Sequence, residues 1–219
     1  MTSILSDNQS RILDALSHEK SITDTFYFGG GTVLAEYYLH HRYSEDLDFF
    51  SVEEFDPFAM TTVFQKIKSA TGITGTRYEQ SFNRNLFFLD MSGDTIKTEF
   101  TYFPFPQIDA SKRAGDLRVD SLIDIAVNKV FTIYQKPRSR DFIDLYSIMR
   151  QQKEWTLREL SQKAQVKFDT YIEPIQFGAQ LIQAQTLKDY PRMLTPLDPH
   201  EWIDFFIAES KRLRSEVLE

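Results

Sequence analysis

The sequence predicts an α+β fold, in which a mixed sheet with flanking helices forms the N-terminal part and helices alone form the C-terminal part. Short runs rich in β-branched and aromatic residues, separated by turn residues, recur up to residue 103 and are typical of strands. From Asp120 onward, apolar residues recur at helical spacing. With 219 residues, 42% of them hydrophobic, the chain can form one large domain or two small ones. We therefore expect an α/β domain over residues 1–118 and a helical domain over residues 119–219.

Local signals place the elements of the first domain. Ser6 precedes apolar residues at helical spacing and predicts a capped helix. Asp56 followed by Pro57 combines an N-cap with a proline at the first helical position, which predicts a helix to about Ser69. A glycine turn and a helix are predicted between the first two of five strands, which cover Thr23–Phe28, Asp46–Ser51, Ile73–Glu79, Asn85–Met91 and Thr95–Phe103.

The second domain is predicted to contain only helices. Pro137 separates two amphipathic segments, one that begins at Asp120 and one that includes Phe142 and Leu145. Three more helices are predicted, over Thr156–Lys167, Tyr171–Thr186 and His200–Leu218.

Composition excludes several classes of protein. The formal charge of 25 − 32 = −7 favours solubility and argues against a general nucleic-acid coat protein. The absence of cysteine excludes disulfides and cysteine-ligated metal centres. The H-E-x-x-H and G-x-S-x-G motifs of zinc and serine hydrolases are also absent. Neither a signal peptide nor a run of about 18 apolar residues is present, so we expect a cytoplasmic protein without a membrane partner.

Asp46 and Asp48 are the first candidates for chemistry. On a strand their side chains leave the same face, with Cα atoms about 6.5–7 Å apart. Two carboxylates in that arrangement repel each other unless a cation lies between them. Hard oxygen ligands suit Mg²⁺, which completes its coordination with water and substrate phosphate. The alternative is a solvated strand end.

The glycine turn just before the helix, Gly29–Gly31, is the second candidate. Glycine lets the backbone approach phosphate closely, and the helix that begins there presents free N–H groups to an anion. Thr32 adds a hydroxyl, either as a helix cap or as a phosphate contact. The alternative is an ordinary strand-to-helix turn.

Taken together, these motifs resemble a known family. Gly-Gly-Gly-Thr at residues 29–32, followed by His41-Arg42-x-Ser44-x-Asp46-x-Asp48-Phe49-Phe50, is similar to the nucleotidyltransferase motif of the AbiEii/AbiGii toxin family. That family is a branch of the DNA polymerase β-like nucleotidyltransferase superfamily. The resemblance covers residues 25–150 and implies that the N-terminal domain is nucleotidyltransferase-like. It assigns no role to residues 151–219.

Three later segments also match the family pattern. Glu99 stands where the superfamily carries a third metal-binding carboxylate, although aspartate is commoner there. In such enzymes a lysine at the position of Lys129 lies near the nucleotide phosphates, and the helix of Asp141 and Asp144 borders the same cleft. The alternatives are an exposed acid at Glu99, a surface lysine at Lys129, and a helix start with favourable acids at Asp141 and Asp144.

The resemblance implies transfer of an NMP from an NTP to an acceptor hydroxyl. Two Mg²⁺ ions, or Mn²⁺, would lie about 3.5–4 Å apart and activate the hydroxyl and the leaving pyrophosphate. One of two acids, Asp141 or Asp144, would act as base or orient the acceptor. The metal ligands would be Asp46, Asp48 and Glu99, and the nucleotide-binding residues Gly30, Gly31, Thr32, Arg42, Ser44 and Lys129.

The resemblance also implies a biological setting. Such proteins are toxins of two-gene toxin–antitoxin or phage-defence (abortive infection) modules, and the antitoxin is a separate protein. Some relatives modify RNA, so an RNA acceptor is one hypothesis, for which basic residues between 112 and 140 would supply the contacts. The alternatives are a non-catalytic nucleotide-binding protein with the same fold, a nucleotidyltransferase for small molecules such as antibiotics, and, with less support, a D-x-D glycosyltransferase.

Overall fold

Seven strands form one mixed sheet in the computed structural model, which describes residues 3–218, with side chains as far as residue 213. The predicted α+β fold class is confirmed. The chain divides into two units by its contacts. Unit 1 holds the residues up to Tyr38 together with Tyr43–Ser121, and unit 2 holds Leu39–Arg42 and the residues from Leu122 onward. Within residues 3–218, no helix is both long and apolar enough to cross a membrane.

All strands belong to unit 1. They are β1 Tyr27–Gly29, β2 Leu47–Ser51, β3 Gly75–Ser81, β4 Arg84–Met91, β5 Asp94–Tyr102, β6 Lys112–Ala114 and β7 Leu117–Val119. The order across the sheet is β3-β4-β5-β2-β1-β7-β6. Two of the pairings, β2 with β5 and β1 with β7, are parallel, and the others are antiparallel. Since β5 follows β2 by some fifty residues, a long-range pairing places their side chains together.

The helices of unit 1 are α1 Asp7–Ser17, α2 Lys20–Thr23, α3 Gly30–Val33 and α4 Pro57–Thr71. Ser6 caps α1 as predicted: its Oγ accepts from the backbone N of Gln9 at 3.2 Å, while Gln9 Oε1 accepts from the backbone N of Ser6 at 2.9 Å. Asp56 caps α4, whose first residue is Pro57. These ends depend on local hydrogen bonds, which is why the sequence predicted them.

The strands of unit 1 differ from the prediction in two main respects. The predicted strand from Thr23 begins only at Tyr27, because Lys20–Thr23 form a helical turn with Ile22 buried beneath it. Strands β6 and β7 were not predicted. They form a short hairpin of two three-residue strands around Gly115, whose φ is +60°. Strand β7 also pairs with β1 through Val119. Such short strands carry little periodicity, so they are defined by their partners rather than by their own sequence.

The helix predicted after the glycine turn is present but changes type. After Val33, the last residue of α3, the chain continues as a π-helix over Leu34–Leu39, and His40 ends it with a φ of +48°. Wider helical turns of this kind are frequent at functional sites.

Aromatic rings fill the core on one side of the sheet. Phe49 of β2 stacks on Phe28 at 5.1 Å and on Phe100 at 5.1 Å between ring centroids. Phe64 of α4 packs on Phe87 and Phe100, so α4 covers that side. Because side chains alternate along β2, burying Phe49 turns Asp48 to the opposite face, as the sequence predicted.

Unit 2 is helical, as predicted. Its helices are α5 Leu122–Gln135, α6 Ser139–Gln151, α7 Leu157–Phe168, α8 Pro174–Ile182 and α9 Pro199–Leu218. The helix predicted from Tyr171 begins instead at Pro174, because Glu173 caps the backbone N–H groups of Ile175 and Gln176 and proline suits the first helical position. Trp202 and Phe206 of α9 pack against Phe142 of α6 within the core.

Candidate active site

The glycine turn and Asp48 lie directly against each other. Gly29 and Asp48 are register partners in the β1–β2 pair. Gly30 has a φ of +71°, and a Cβ placed on it would lie 2.5 Å from Asp48 Oδ2. Only glycine combines that backbone conformation with the space the carboxylate needs. The turn and the acidic pair, separate motifs in the sequence, are thus one local structure.

Thr32 joins the same structure by a hydrogen bond. Its hydroxyl donates to the backbone carbonyl of Asp46, and its side chain is fully buried. The hydroxyl proton therefore ties the first turn of α3 to the residue that precedes β2. A hydroxyl oxygen can still accept, but its donor is committed to the protein.

Asp46 has a cationic neighbour that the sequence analysis missed. Lys97 of β5 donates from Nζ to Asp46 Oδ2 at 3.1 Å, and the same nitrogen lies 3.6 Å from Glu99 Oε2. The Lys97 side chain is 24% exposed, so the ammonium is partly withdrawn from water. It lies between two of the three predicted metal ligands.

Glu99 lies beside Asp48 in the parallel β2–β5 register. Both of its carboxylate oxygens are already held. Arg84 of β4 donates from Nε to Oε1 and from Nη2 to Oε2, each at 2.6 Å, and the Thr101 hydroxyl donates to Oε1 at 2.9 Å. Burial alone would raise the pKa of Glu99, but Arg84, Thr101 and Lys97 outweigh it and hold the pKa below its usual range.

The pKa of Arg84 is raised by Glu99, Asp48 and Asp46, the three carboxylates that form the acidic face of unit 1. The hydrogen bond to Glu99 is the largest cause of its raised pKa, and the charges of Asp48 and Asp46 add to that effect. Glu99 is therefore a charged acceptor in a bidentate pair, an arrangement with strong geometric specificity.

These contacts limit how the site can hold metal. Among the residues that the structure describes, no three or more histidine, aspartate or glutamate side chains are arranged to hold one ion. Asp46, which precedes β2, and Asp48, within β2, supply hard oxygen donors of the kind that Mg²⁺ or Mn²⁺ prefers. Glu99 is engaged by Arg84, and Lys97 already sits on Asp46 as a cation would. The residues fit one divalent ion more readily than two.

Unit 2 contains a second charged cluster, centred on the fully buried Asp144. Arg42 donates from Nε to Oδ1 at 2.6 Å and from Nη2 to Oδ2 at 2.8 Å. His41 Nε2 lies 2.9 Å from Oδ1, and Lys129 Nζ lies 2.7 Å from Oδ2. Burial would raise the pKa of Asp144, yet the charges of Arg42 and Lys129, with these hydrogen bonds, hold the pKa well below its usual range.

Lys129 also binds Asp141, which makes it the link between the two acids. Its Nζ lies 2.8 Å from Asp141 Oδ1, and Arg138 donates from Nε to Asp141 Oδ2 at 3.1 Å. Burial would raise the pKa of Asp141, but Lys129 and Arg138 lower it below the usual range. The interpretation of Lys129 as a surface lysine is wrong, because its side chain is only 11% exposed.

The residues just before the acidic pair are held by contacts that the sequence did not reveal. In unit 2, the backbone N of Leu194 donates to the His41 carbonyl at 3.0 Å. In unit 1, Gln9 of α1 donates from Nε2 to the carbonyls of Ser44 and Glu45, each at 3.0 Å. Gln9 is also the capping-box partner of Ser6, and only its tertiary contacts show this further role.

Another buried ion pair lies near Lys129 on α5. Asp124 lies five residues before it on α5 and is bound by Lys167 of α7, with Nζ at 2.7 Å from Oδ1 and both side chains almost fully buried. Asp124 thus connects α5 to α7.

Comparison with known proteins places these features in a family. The model of the family described as nucleotidyl transferase AbiEii toxin, type IV toxin–antitoxin system, matches residues 11–208. The protein aq_aa25 of Aquifex aeolicus is 32% identical over 153 residues, which cover 67% of this chain and 68% of that protein.

Solved structures share the fold. A candidate nucleotidyltransferase from Helicobacter pylori superposes with a TM-score of 0.62 at 17% identity, over 98% of this chain and 99% of its own. MenT4, a nucleotidyltransferase toxin from Mycobacterium tuberculosis, superposes with a TM-score of 0.56 at 17% identity, over 92% of this chain and 85% of its own. At such identity the likeness shows the fold alone.

Proposed function

Since this chain belongs to the AbiEii nucleotidyl transferase toxin family of type IV toxin–antitoxin systems, we propose that it transfers the NMP of an NTP to an acceptor hydroxyl. The observation that carries this proposal is the contact of the glycine turn with the acidic pair, in which Gly30 leaves room only for the Asp48 carboxylate. A glycine turn, whose backbone can approach phosphate closely, beside two hard oxygen donors is an arrangement that suits a nucleotide with its metal.

Asp46 and Asp48 are the residues that would hold Mg²⁺ or Mn²⁺. When bound, such an ion neutralises charge on the phosphates and lowers the pKa of a hydroxyl beside it. Glu99 was expected to share this role. Its bidentate pair with Arg84 supports a different one, in which Glu99 holds the Arg84 guanidinium on the acidic face.

The backbone of Gly30 and Gly31 would receive the β and γ phosphates. Thr32 supports this turn by its bond to the Asp46 carbonyl. Ser44 is half-buried and anchored through its carbonyl by Gln9, so its hydroxyl remains a candidate for substrate contact.

Lys129 is proposed as a second phosphate-binding group. In its cluster, Arg42, Lys129 and Arg138 contribute three positive charges against the two of Asp141 and Asp144, so 3 − 2 = +1 remains. An excess of positive charge in a cluster that contains a largely buried lysine favours the binding of an anion.

The low pKa values of Asp141 and Asp144 argue for a positioning role. A general base works best when its pKa lies near the working pH. Arg42 and Lys129 hold the pKa of Asp144 well below its usual range, and the side chain is fully buried. We propose that Asp144 fixes Arg42 and Lys129, and that Asp141 fixes Lys129 and Arg138.

For the acceptor we propose an RNA hydroxyl, and for the partner an antitoxin in the cytoplasm. Of the basic residues suggested for RNA contact, Lys129 is buried in ion pairs and is not part of an exposed surface. Lys112 and Arg113 are exposed. The net charge of −7 requires that any RNA contact depend on such local groups.

The test is transfer from NTPs labelled at the α-phosphate, with Mg²⁺, to total RNA and to a panel of small hydroxyl compounds. Wild type and Asp116→Asn, a change at an exposed turn of unit 1, should label the same acceptor, and Asp48→Asn should not. Labelling of small compounds alone would replace RNA by a small-molecule acceptor. Tight NTP binding without any labelling would favour the non-catalytic alternative.

A further inference from the structure

The acidic face of unit 1 contains its own cations. Lys97 Nζ lies 3.1 Å from Asp46 Oδ2 and 3.6 Å from Glu99 Oε2, in the space between two carboxylates. Arg84 holds the other side of Glu99 through two bonds of 2.6 Å. Both cations project from strands β4 and β5, whose backbone is fixed by continuous pairing with its neighbours.

The charges of this face nearly cancel without any metal. Asp46, Asp48 and Glu99 contribute three negative charges, and Lys97 and Arg84 contribute two positive ones, so 2 − 3 = −1 remains among these five side chains. Three unbalanced carboxylates would attract two divalent ions strongly. A balance of −1 does not, because each additional cation meets the repulsion of the two already present.

We propose that the Lys97 ammonium takes the place of one of two metal ions, so that the site binds a single divalent cation on Asp46 and Asp48. This inference rests on the proposed function and specifies how its site is charged. A second ion bound by Asp46 and Glu99 would have to displace Lys97 from Asp46 and compete with Arg84 for Glu99. An ammonium needs no coordination shell and stays in place through its own side chain.

Lys97 then has a defined part in the transfer. The acceptor oxygen forms a bond to the α-phosphorus, the bond from that phosphorus to the β-phosphate oxygen breaks, and pyrophosphate leaves with the electron pair. The hydroxyl proton passes to solvent water. Lys97 offsets negative charge by its position alone, as a fixed charge aimed at the reacting centre.

The direct test counts metal ions, without reference to activity. Mn²⁺ binding to the full chain is measured by electron paramagnetic resonance, with a non-hydrolysable NTP analogue present. Wild type is expected to bind one Mn²⁺ per chain in the nucleotide complex, with the ion on the nucleotide included in the count. Lys97→Gln should bind Mn²⁺ roughly tenfold more tightly or take up a second ion, since removal of one positive charge leaves the carboxylates unbalanced.

Two further variants control for charge and for folding. Lys66→Gln removes a lysine from a surface ion pair with Glu19 in the same unit and should match wild type. Lys97→Arg keeps the charge and should keep one Mn²⁺. Lys97→Gln should also gain more thermal stability from added Mn²⁺ than wild type does, because tighter binding to the native state stabilises it more.

Two bound Mn²⁺ ions in wild type, or unchanged affinity in Lys97→Gln, would overturn the proposal. If Lys97→Gln fails to fold, the wild-type count alone decides between one ion and two. The proposed function is tested separately. One bound Mn²⁺ without transfer to any acceptor would contradict the proposed function and support the assignment of Lys97. Transfer by a protein that binds two ions would support the function and contradict the assignment of Lys97.

Discussion

A β-carbon on Gly30 would lie 2.5 Å from Oδ2 of Asp48, a distance that real Cβ atoms essentially never show. The neighbouring atom is the end of the Asp48 side chain, and the Cβ of Asp48 would also lie only 3.2 Å away, so the carboxylate would have to shift. The glycine turn therefore determines where the acidic pair can stand, and this contact gives the first prediction.

Gly30→Ala should abolish transfer and weaken Mn²⁺ binding, because Ala would push the Asp48 carboxylate away. It should also destabilise the fold by about 1–3 kcal/mol, since φ is +71°. Gly93→Ala is a matched control: its φ is +78°, and its added Cβ would meet nothing within 4 Å. Urea unfolding should show a lower free energy of unfolding in both variants, whereas calorimetry should show weaker Mn²⁺ binding only in Gly30→Ala. Equal metal binding would separate the turn from the site.

Asp144→Asn should destabilise unit 2 on the order of 3–5 kcal/mol, because Arg42 and Lys129 would lose the buried carboxylate that they share. Denaturant unfolding measures the loss. Asp204→Asn, at an exposed position of α9, should change stability little. A small loss in Asp144→Asn would mean that the cluster contributes no net stability.

The pH dependence follows from the lowered pKa values of Asp144, Asp141 and Glu99. When the folded pKa lies below the unfolded one, the stabilisation is complete above the unfolded pKa and is lost as pH falls through the folded pKa. Wild type should therefore keep its stability advantage over Asp144→Asn down to about pH 4, near the ordinary aspartate pKa, and lose it at lower pH. Unfolding free energies between pH 2 and pH 7 measure this difference. An advantage that declines already between pH 7 and pH 5 would contradict these shifts.

Phe82→Gly should stabilise the protein by about 1 kcal/mol, because Phe82 has a φ of +54° at the tip of the β3–β4 hairpin. Its side chain is 95% exposed, so little apolar burial is lost. Phe82→Ala keeps the unfavourable φ and should stay near wild type. Thermal unfolding of both variants provides the comparison, and equal stability of Gly and Ala at this position would show that φ is not the cause.

The sequence by itself determined the elements whose signals are local. Ser6, and Asp56 with Pro57, mark helix starts through hydrogen bonds between near neighbours. Alternation along Leu47–Ser51 placed Asp48 on the face opposite the buried Phe49, because the strand period is two wherever the strand pairs.

Only the tertiary structure decided the partners of those residues. Lys97 reaches Asp46 across 51 positions, and Arg42 reaches Asp144 across 102. Whether an acid stands free or is neutralised depends on strand register and helix packing, which no short segment encodes. Glu99 shows the consequence: its position beside Asp48 was expected, but its pairing with Arg84 follows from the β4–β5 register, in which Arg84 lies opposite Thr101. The sequence therefore identified the acidic groups, and long-range pairing decided which cations lie beside them.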